Sequence, residues 1–205
     1  MIFRRFLGVT VVLCLHSAAA LAAGAALPGD AMVVGDPIKQ PFGHKAFCER
    51  QPEECGPTAD AGQAPPVLDD ALMAKVAKIN LAVNAEIQPV SDQALYGQEE
   101  YWTFPTDNKG DCEDYALLKR ARLHAAGIPL SDLLLTVVNK LDGTGHAILT
   151  LRTASGDFVL DNLDWRVRRW TEVPYRFIKR QSSTNAGEWL EIENAPEPLV
   201  SSVSR

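Results

Sequence analysis

A single cysteine lies between acidic residues in the segment 110–116, which reads GDCEDYA. The segment opens a stretch whose composition is typical of a helix, so Cys112 is expected in the first turn. The start of a helix has unpaired backbone N–H groups and a partial positive charge, and both favour ionisation of a thiol. Because the thiolate is the reactive form of cysteine, Cys112 is a candidate nucleophile.

A histidine and a carboxylate further along the chain complete a candidate catalytic set. His146 begins the apolar run 147–149, and Asp161 ends the apolar run 158–160. Each run predicts a strand, which would fix the direction of the polar side chain at its end. In such a set the imidazole takes the thiol proton and the carboxylate orients the imidazole. The less favoured candidates for these two roles are His44, His124, Asp157 and Asp164.

The acidic neighbours of Cys112 have several interpretations. Negative charge beside a thiol disfavours the thiolate, so a protonated histidine or a bound cation would have to offset it. Asp111 and Glu113 are candidate calcium ligands, because calcium prefers carboxylate oxygens. The simpler interpretation is that Asp111 or Asp114 caps the helix, and that Cys112 is a small buried hydrophobe. No organic cofactor is expected.

The first residues have the pattern of a secretory signal. Arg4 and Arg5 precede the mostly apolar run 6–15, and small residues follow up to a predicted cleavage site near Ala22-Ala23. The apolar run is short for a membrane span, so an uncleaved anchor is the less favoured alternative. We therefore expect residues 1–23 to be a signal peptide and the mature protein to be periplasmic or secreted.

Length and charge narrow the classes of function. The chain has 205 residues, which fits one domain with its own core. The formal net charge is −6, and removal of the leader with its two arginines would make it −8. No basic stripe is available to neutralise phosphates, so we do not expect nucleic acid as a partner.

Cys48 and Cys55 lie in a region rich in Pro and Gly, and an oxidising compartment would pair them. On one continuous helix they would be about 10 Å apart, which is too far for a disulfide. The pairing therefore requires a bent loop, which Pro52 permits. A zinc site that also uses His44 is the alternative. Cys112 then remains as an odd thiol.

The remaining patterns predict an α+β fold. Residues 68–87 have apolar positions at helical spacing, and a second helix is expected from Asp111 or Cys112 to about Ala126, before Gly127. Strands are expected at 133–138, 146–151, 157–160, 175–178 and 189–192. We predict that the helix bearing Cys112 at its N-terminus packs on an antiparallel sheet that bears the histidine and the aspartate.

The same patterns divide the chain into four parts. After the signal peptide we expect an extended arm with the local disulfide at 24–66, and then the catalytic domain at 67–195. Residues 196–205 are polar, contain two prolines and are predicted to be a flexible tail.

Five short motifs together resemble the bacterial transglutaminase-like cysteine proteinases, a group that includes the periplasmic LapG-type proteases. The motifs lie at Phe47-Cys48 with Glu54-Cys55, Tyr101-Trp102, 110–116, His146-Ala147 and 159–162. The resemblance implies a papain-like or transglutaminase-like core in which Cys112, His146 and Asp161 form the catalytic triad.

The resemblance also implies a cofactor, a substrate and a partner. Asp111 and Glu113 would help to bind a calcium ion needed for activity. The expected activity is that of an exported cysteine protease. LapG-type members cut the N-terminal region of large surface adhesins at a dialanine-containing site, and an inner-membrane cyclic-diguanylate receptor sequesters them.

Two alternatives to proteolysis stay open at this point. The same triad serves a transglutaminase or amide acyltransferase, in which an amine replaces water as the acceptor. A non-catalytic periplasmic binding module with the same fold is the other alternative. For catalysis, the backbone N–H of Cys112 is expected to contribute to the oxyanion hole, and the indole N–H of Trp102 is a second candidate donor.

Overall fold

The computed structural model describes residues 30–195 of the chain. The predicted signal peptide at 1–23 and the predicted tail at 196–205 lie outside the described residues, as does the part of the predicted arm at 24–29. Among residues 30–195, no helix combines the length and the apolar character needed to cross a lipid bilayer.

In the described residues the four α-helices lie in the first part of the chain with three strands between and before them, and six strands follow the last α-helix. The α-helices are α1 (Phe42–Arg50), α2 (Asp70–Glu86), α3 (Asp92–Tyr96) and α4 (Cys112–Ala125). The strands are β1 (Val34–Ile38), β2 (Gln88–Pro89), β3 (Lys109–Gly110), β4 (Leu133–Asn139), β5 (Gly145–Thr153), β6 (Gly156–Leu160), β7 (Arg168–Arg169), β8 (Arg176–Gln181) and β9 (Trp189–Ile192).

Seven of these strands form one antiparallel sheet in the order β1-β9-β8-β4-β5-β6-β7. The centre of the sheet is the β4–β5 pair, in which Leu133 lies opposite Leu151 and Asn139 opposite Gly145. The two remaining strands, β2 and β3, pair in parallel just before α4. The predicted α+β class is therefore confirmed.

Helix α4 packs against β4 and β5, and α2 packs against α4. Apolar side chains of α4, among them Ala116, Leu117 and Leu123, are buried against Leu149 and Leu151 of β5 in the main core. The start of α2 is capped because the side chain of Asp69 accepts the backbone N–H of Leu72 at 2.8 Å. This packing places the N-terminus of α4 beside the start of β5, one of the central strands.

The described part of the predicted arm differs from the prediction. Residues 34–38 are β1, which pairs with β9 inside the main sheet, and residues 42–50 are α1. Phe47 of α1 is 1 % exposed and belongs to the core. The prediction of an extended arm was wrong here because elements of five and nine residues are too short to show a clear periodicity. The folded domain therefore begins before residue 67.

Cys48 and Cys55 form a disulfide, as the cysteine count predicted. Cys48 lies in α1, and Cys55 directly follows a short 3₁₀ turn at Pro52–Glu54. The chain therefore leaves the α-helix between the two cysteines, which is the bent path that their pairing required. Both sulfurs are in the disulfide, so they are not zinc ligands.

Candidate active site

Cys112 is the first residue of α4, and Asp111 before it has the extended backbone of an N-cap residue. The Cys112 N–H is one of the helix-start groups that have no acceptor within the helix. The half-buried Cys112 thiol donates to Glu113 Oε2 at 3.1 Å, and its sulfur accepts the Ala147 N–H at 3.4 Å. The cysteine therefore faces the strand that bears the candidate histidine.

His146 and Asp161 are joined by a hydrogen bond of 2.9 Å between Nε2 and Oδ1. His146 is the second residue of β5, and Asp161 directly follows β6. The two strands bring them together because Leu149 of β5 lies opposite Leu160 of β6. Both residues are buried, with 6 % and 2 % exposed. Because Nε2 is engaged by the carboxylate, Nδ1 is the ring nitrogen left for another group.

A cavity of about 170 Å³ is lined by both the candidate cysteine and the candidate histidine. Apolar side chains, including Trp102 and Val137, form another part of its lining. A second cavity of about 420 Å³ has a mainly polar and acidic lining. Cys112 and Glu113 line both cavities. The thiol therefore lies where an apolar pocket meets an acidic one.

The carboxylate of Asp161 has two further hydrogen-bond donors. Its Oδ1 also accepts the Leu163 N–H at 3.0 Å, and its Oδ2 accepts the Tyr175 hydroxyl at 2.5 Å. Burial acts to raise the pKa of Asp161, but these hydrogen bonds, with that of His146 the largest, outweigh burial and lower the pKa. The carboxylate is therefore charged at neutral pH and fixed in orientation.

The less favoured candidates lie away from this cavity. His44 is buried among aromatic rings of the core, and His124 is exposed near the end of α4. Asp157 accepts the backbone N–H of Met32 at 2.7 Å. Asp164 forms ion pairs with two arginines, Arg166 and Arg168.

The thiol of Cys112 is held in its neutral form by its surroundings. Burial raises the pKa of Cys112 well above its ordinary value, and the charges of Glu113 and Asp111 raise it further. The hydrogen bond from Ala147 N–H acts in the opposite direction and does not outweigh them. The expectation that the helix start favours ionisation therefore differs from the structure, because burial of the thiol, followed by the charge of Glu113, has the larger effect on its pKa.

Three carboxylates converge beside the thiol, two from the start of α4 and one from the start of α3. Oxygen atoms of Asp92, Asp111 and Asp114 lie within 4.8 Å of one another. One oxygen of each accepts a backbone N–H: Tyr101 donates to Asp92, Asp92 to Asp111, and Thr103 to Asp114. The other oxygen of each is buried and has no hydrogen-bond partner among the described residues. Buried oxygens without partners are unfavourable, so this cluster suits a cation with oxygen ligands.

The raised pKa values of these carboxylates also indicate that the cluster suits a bound cation. Burial raises the pKa of Asp114 to about 8, with a contribution from the charges of Asp92 and Asp111. Burial and the charge of Asp111 also raise the pKa of Asp92. Gly110 leaves room for this arrangement, because a Cβ at that position would overlap the Asp114 carboxylate. The carboxylates are thus crowded at a distance where like charges repel.

The predicted calcium ligands are distributed over two adjoining groups. Asp111 belongs to the cluster with Asp92 and Asp114, whereas Glu113 lies with Asp111 around the Cys112 sulfur. Asp114, which the sequence indicates only as a possible helix cap, belongs to the first of these groups. Sequence reasoning missed Asp92, which begins the five-residue helix α3 and has no motif around it. Only the folded chain brings it to the start of α4.

Trp102 lines the cavity beside Cys112 and is 2 % exposed. Its indole N–H donates to Glu100 Oε2 at 3.0 Å. The backbone oxygen of Trp102 accepts Arg50 Nη2 at 2.7 Å, which ties this loop to α1. In this structure the indole N–H is donated to Glu100 and the ring lines the cavity, so the role of Trp102 as an oxyanion donor stays a prediction.

Comparisons with known proteins identify one family and one set of related structures. The sequence model of the bacterial transglutaminase-like cysteine proteinases matches residues 34–197. Among solved structures, calcium-bound LapG of Legionella pneumophila is 25 % identical, with a TM-score of 0.49 over 64 % of this chain and 74 % of that chain. LapG itself and EGTA-treated LapG are each 26 % identical with a TM-score of 0.49, over 57 % of this chain and 67 % and 66 % of theirs. No curated protein matches the chain.

Proposed function

Because this chain belongs to the bacterial transglutaminase-like cysteine proteinases and is therefore a cysteine peptidase, we propose that Cys112, His146 and Asp161 are its catalytic triad. Cys112 is the nucleophile, His146 moves the proton, and Asp161 orients the histidine. The substrate is a protein, as the family implies.

The observation that carries this proposal is the hydrogen bond of 2.9 Å between His146 Nε2 and Asp161 Oδ1 beside a cavity that Cys112 also lines. The carboxylate is charged and occupies Nε2, so Nδ1 is left as the proton acceptor. The hydrogen bond from Ala147 N–H to the Cys112 sulfur supports the same assignment, because Ala147 follows the histidine in β5. For the reaction, the thiol has to exchange Glu113 for the imidazole as its hydrogen-bond acceptor.

In the proposed reaction the thiol proton of Cys112 moves to His146 Nδ1, and the sulfur attacks the carbonyl carbon of the scissile peptide bond. Negative charge develops on the carbonyl oxygen, for which the Cys112 N–H at the start of α4 is a donor. The C–N bond then breaks, and the proton on Nδ1 passes to the leaving amine. The acyl group remains on sulfur as a thioester. Water attacks the thioester, its proton passes through Nδ1 to the sulfur, and the carboxylic product leaves.

We also propose that calcium is held by the acidic cluster. Asp92, Asp111 and Asp114 would bind it through the buried oxygens that have no partner among the described residues. A bound calcium ion supplies positive charge that offsets these carboxylates. Because Asp111 and Glu113 raise the pKa of the thiol, any reduction of their effect makes Cys112 easier to ionise.

We also propose that the protein is exported and that its substrate is a surface adhesin. The leader pattern around Arg4, Arg5 and the apolar run 6–15 supports export, and so does the disulfide between Cys48 and Cys55. The resemblance to the LapG-type proteases supports an adhesin substrate and an inner-membrane cyclic-diguanylate receptor as the regulatory partner.

Mass spectrometry of exported and surface proteins tests this function. Two strains are compared, one with the native enzyme and one with Cys112→Ala. We expect a protein fragment with a new terminus only in the strain with the native enzyme, because only that enzyme forms the thioester. Identical fragments in both strains would contradict proteolysis by Cys112. Incorporation of a labelled amine without cleavage would indicate an acyltransferase instead.

A further inference from the structure

Tyr175 reaches the candidate triad from a different strand. It directly precedes β8, and two residues later Phe177 lies opposite Val138 of β4. On the other side of β4, Val138 lies opposite His146 of β5. Three neighbouring strands therefore determine where Tyr175 lies relative to His146, although neither residue is close to the other in sequence.

Both parts of the Tyr175 side chain contact the triad. The hydroxyl donates to Asp161 Oδ2 at 2.5 Å, which is the carboxylate oxygen that His146 does not use. The ring lies edge-on to the imidazole of His146, with 5.7 Å between the ring centroids and 60° between the planes. One tyrosine thus contacts the second and the third member of the triad.

We propose that Tyr175 is a positioning residue of the catalytic site, which fixes the Asp161 carboxylate and through it the imidazole of His146. This inference rests on the proposed function of the triad. With Oδ2 held by the hydroxyl, Oδ1 faces the histidine and the Leu163 N–H. A carboxylate held at both oxygens resists rotation and keeps the proton of the neutral imidazole on Nε2.

The hydroxyl keeps its proton under working conditions. Burial raises the pKa of Tyr175 above its ordinary value, and the hydrogen bond to the charged Asp161 carboxylate raises it further. Tyr175 therefore remains a donor over the whole pH range in which a cysteine peptidase works. A phenylalanine at this position would keep the ring contact with His146 and remove only the hydrogen bond.

A matched control exists on the cysteine-bearing helix. The hydroxyl of Tyr115 donates to the backbone oxygen of Ile87 at 2.6 Å, and the residue is 3 % exposed. Tyr115→Phe therefore removes a tyrosine hydrogen bond of similar length that does not reach the triad. Comparing Tyr175→Phe with Tyr115→Phe separates a positioning effect from a general loss of stability.

The test uses the full mature protein with calcium chloride and two measurements that need no substrate. The first is the downfield proton NMR signal of His146 Nε2–H, assigned by its loss in His146→Ala. The second is the rate at which iodoacetamide alkylates Cys112 at neutral pH. For Tyr175→Phe we expect a shifted or broadened signal and alkylation about tenfold slower, because a hydrogen bond to a charged group is lost. Tyr115→Phe should keep the native signal and rate.

An unchanged signal or an unchanged rate in Tyr175→Phe would overturn the positioning role. The same holds if Tyr115→Phe changes both measurements as much as Tyr175→Phe. Failure of the proposed function has a different signature, since the native Cys112 would then react no faster than free cysteine. The His146 signal would still report whether Tyr175 orients the imidazole.

Discussion

Three hydrogen-bond donors around Asp161 fix the orientation of its carboxylate and keep it charged. His146 uses one oxygen and Tyr175 the other, and a backbone N–H from Leu163 adds to the first. These donors outweigh the effect of burial and keep the pKa of Asp161 low. A charged carboxylate stabilises the imidazolium that forms when the imidazole accepts a proton from a thiol.

Replacing Asp161 by asparagine tests this role. Asp161→Asn keeps the size of the side chain but removes its charge, so the imidazolium loses its stabilising partner. We expect the rate of substrate cleavage to fall by about a hundredfold or more, by analogy with other triads. Asp164→Asn is the control, because Asp164 is paired with arginines outside the cavity. Equal activity of Asp161→Asn and the native enzyme would contradict the role of Asp161.

Replacing Asp92 by asparagine tests whether this residue is a calcium ligand. Asp92→Asn removes one carboxylate from the cluster with Asp111 and Asp114. The native protein should gain thermal stability from calcium, by about 2.7 kcal/mol when the ion is at a hundred times its Kd. We expect the calcium-dependent rise of the melting temperature to be much smaller in Asp92→Asn. The control Asp36→Asn, at an exposed position of β1, should keep the full rise. A full rise in Asp92→Asn would exclude Asp92 as a ligand.

The sequence identifies residues of the site where local pattern carries the information. Cys112 begins a helix, His146 lies at the start of a strand and Asp161 directly follows a strand, so their positions follow from hydrophobic runs. Asp92 has no such pattern. Tyr175 begins a predicted strand, but nothing in the sequence indicates that its hydroxyl contacts Asp161. Only tertiary contacts bring these two residues to the site.

Among the elements, α1 has the least obvious contribution to the site. His44 of α1 lies edge-on to Trp102 and Trp189, with ring centroids 5.4 Å and 5.2 Å apart. Gly43 lies so close to Trp102 that a Cβ there would overlap the indole. Helix α1 therefore supports the tryptophan that lines the cavity beside Cys112 and His146, and the disulfide at Cys48 fixes the end of this helix.

Removing the disulfide should weaken the fold. In the double variant Cys48→Ser, Cys55→Ser the unfolded chain gains the freedom that closure of this short loop removed. We expect the free energy of unfolding, measured with urea, to fall by about 2 kcal/mol. The control Cys112→Ser removes the free thiol and leaves the disulfide in place. A double variant as stable as this control would contradict a stabilising role of the disulfide.

The buried His44 in α1 is expected to make the free energy of unfolding depend on pH. Burial lowers the pKa of His44 to about 3, and the charge of Arg120 contributes. The unfolded chain, with an ordinary pKa of about 6.5, binds this proton first. The free energy of unfolding should therefore fall as the pH decreases from about 6.5 to about 3, by up to about 1.4 kcal/mol per pH unit.

Two histidine variants test whether His44 causes this dependence of stability on pH. His44→Gln should show a smaller slope of stability against pH in this window, measured by urea unfolding at several pH values. His124→Gln, at an exposed position, should keep the native slope. If both variants keep it, the acid sensitivity does not come from His44.

At the scale of the whole molecule, one sheet connects the two ends of the described chain. β1 at residues 34–38 pairs with β9 at residues 189–192, next to β8 and the central β4–β5 pair. The sequence predicts most of the strands from their apolar runs, but nothing local predicts this pairing. Residues 34–38, which the sequence predicts as part of an extended arm, therefore form an edge strand of the main sheet.

The central claim is that His146 activates Cys112 as a nucleophile. The most direct test is the rate of Cys112 alkylation by iodoacetamide at neutral pH with calcium chloride, followed by intact-protein mass spectrometry. We predict that the native thiol reacts faster than free cysteine and that His146→Ala is at least about tenfold slower than the native protein. A native thiol that reacts no faster than free cysteine, or a His146→Ala variant with the native rate, would contradict the claim.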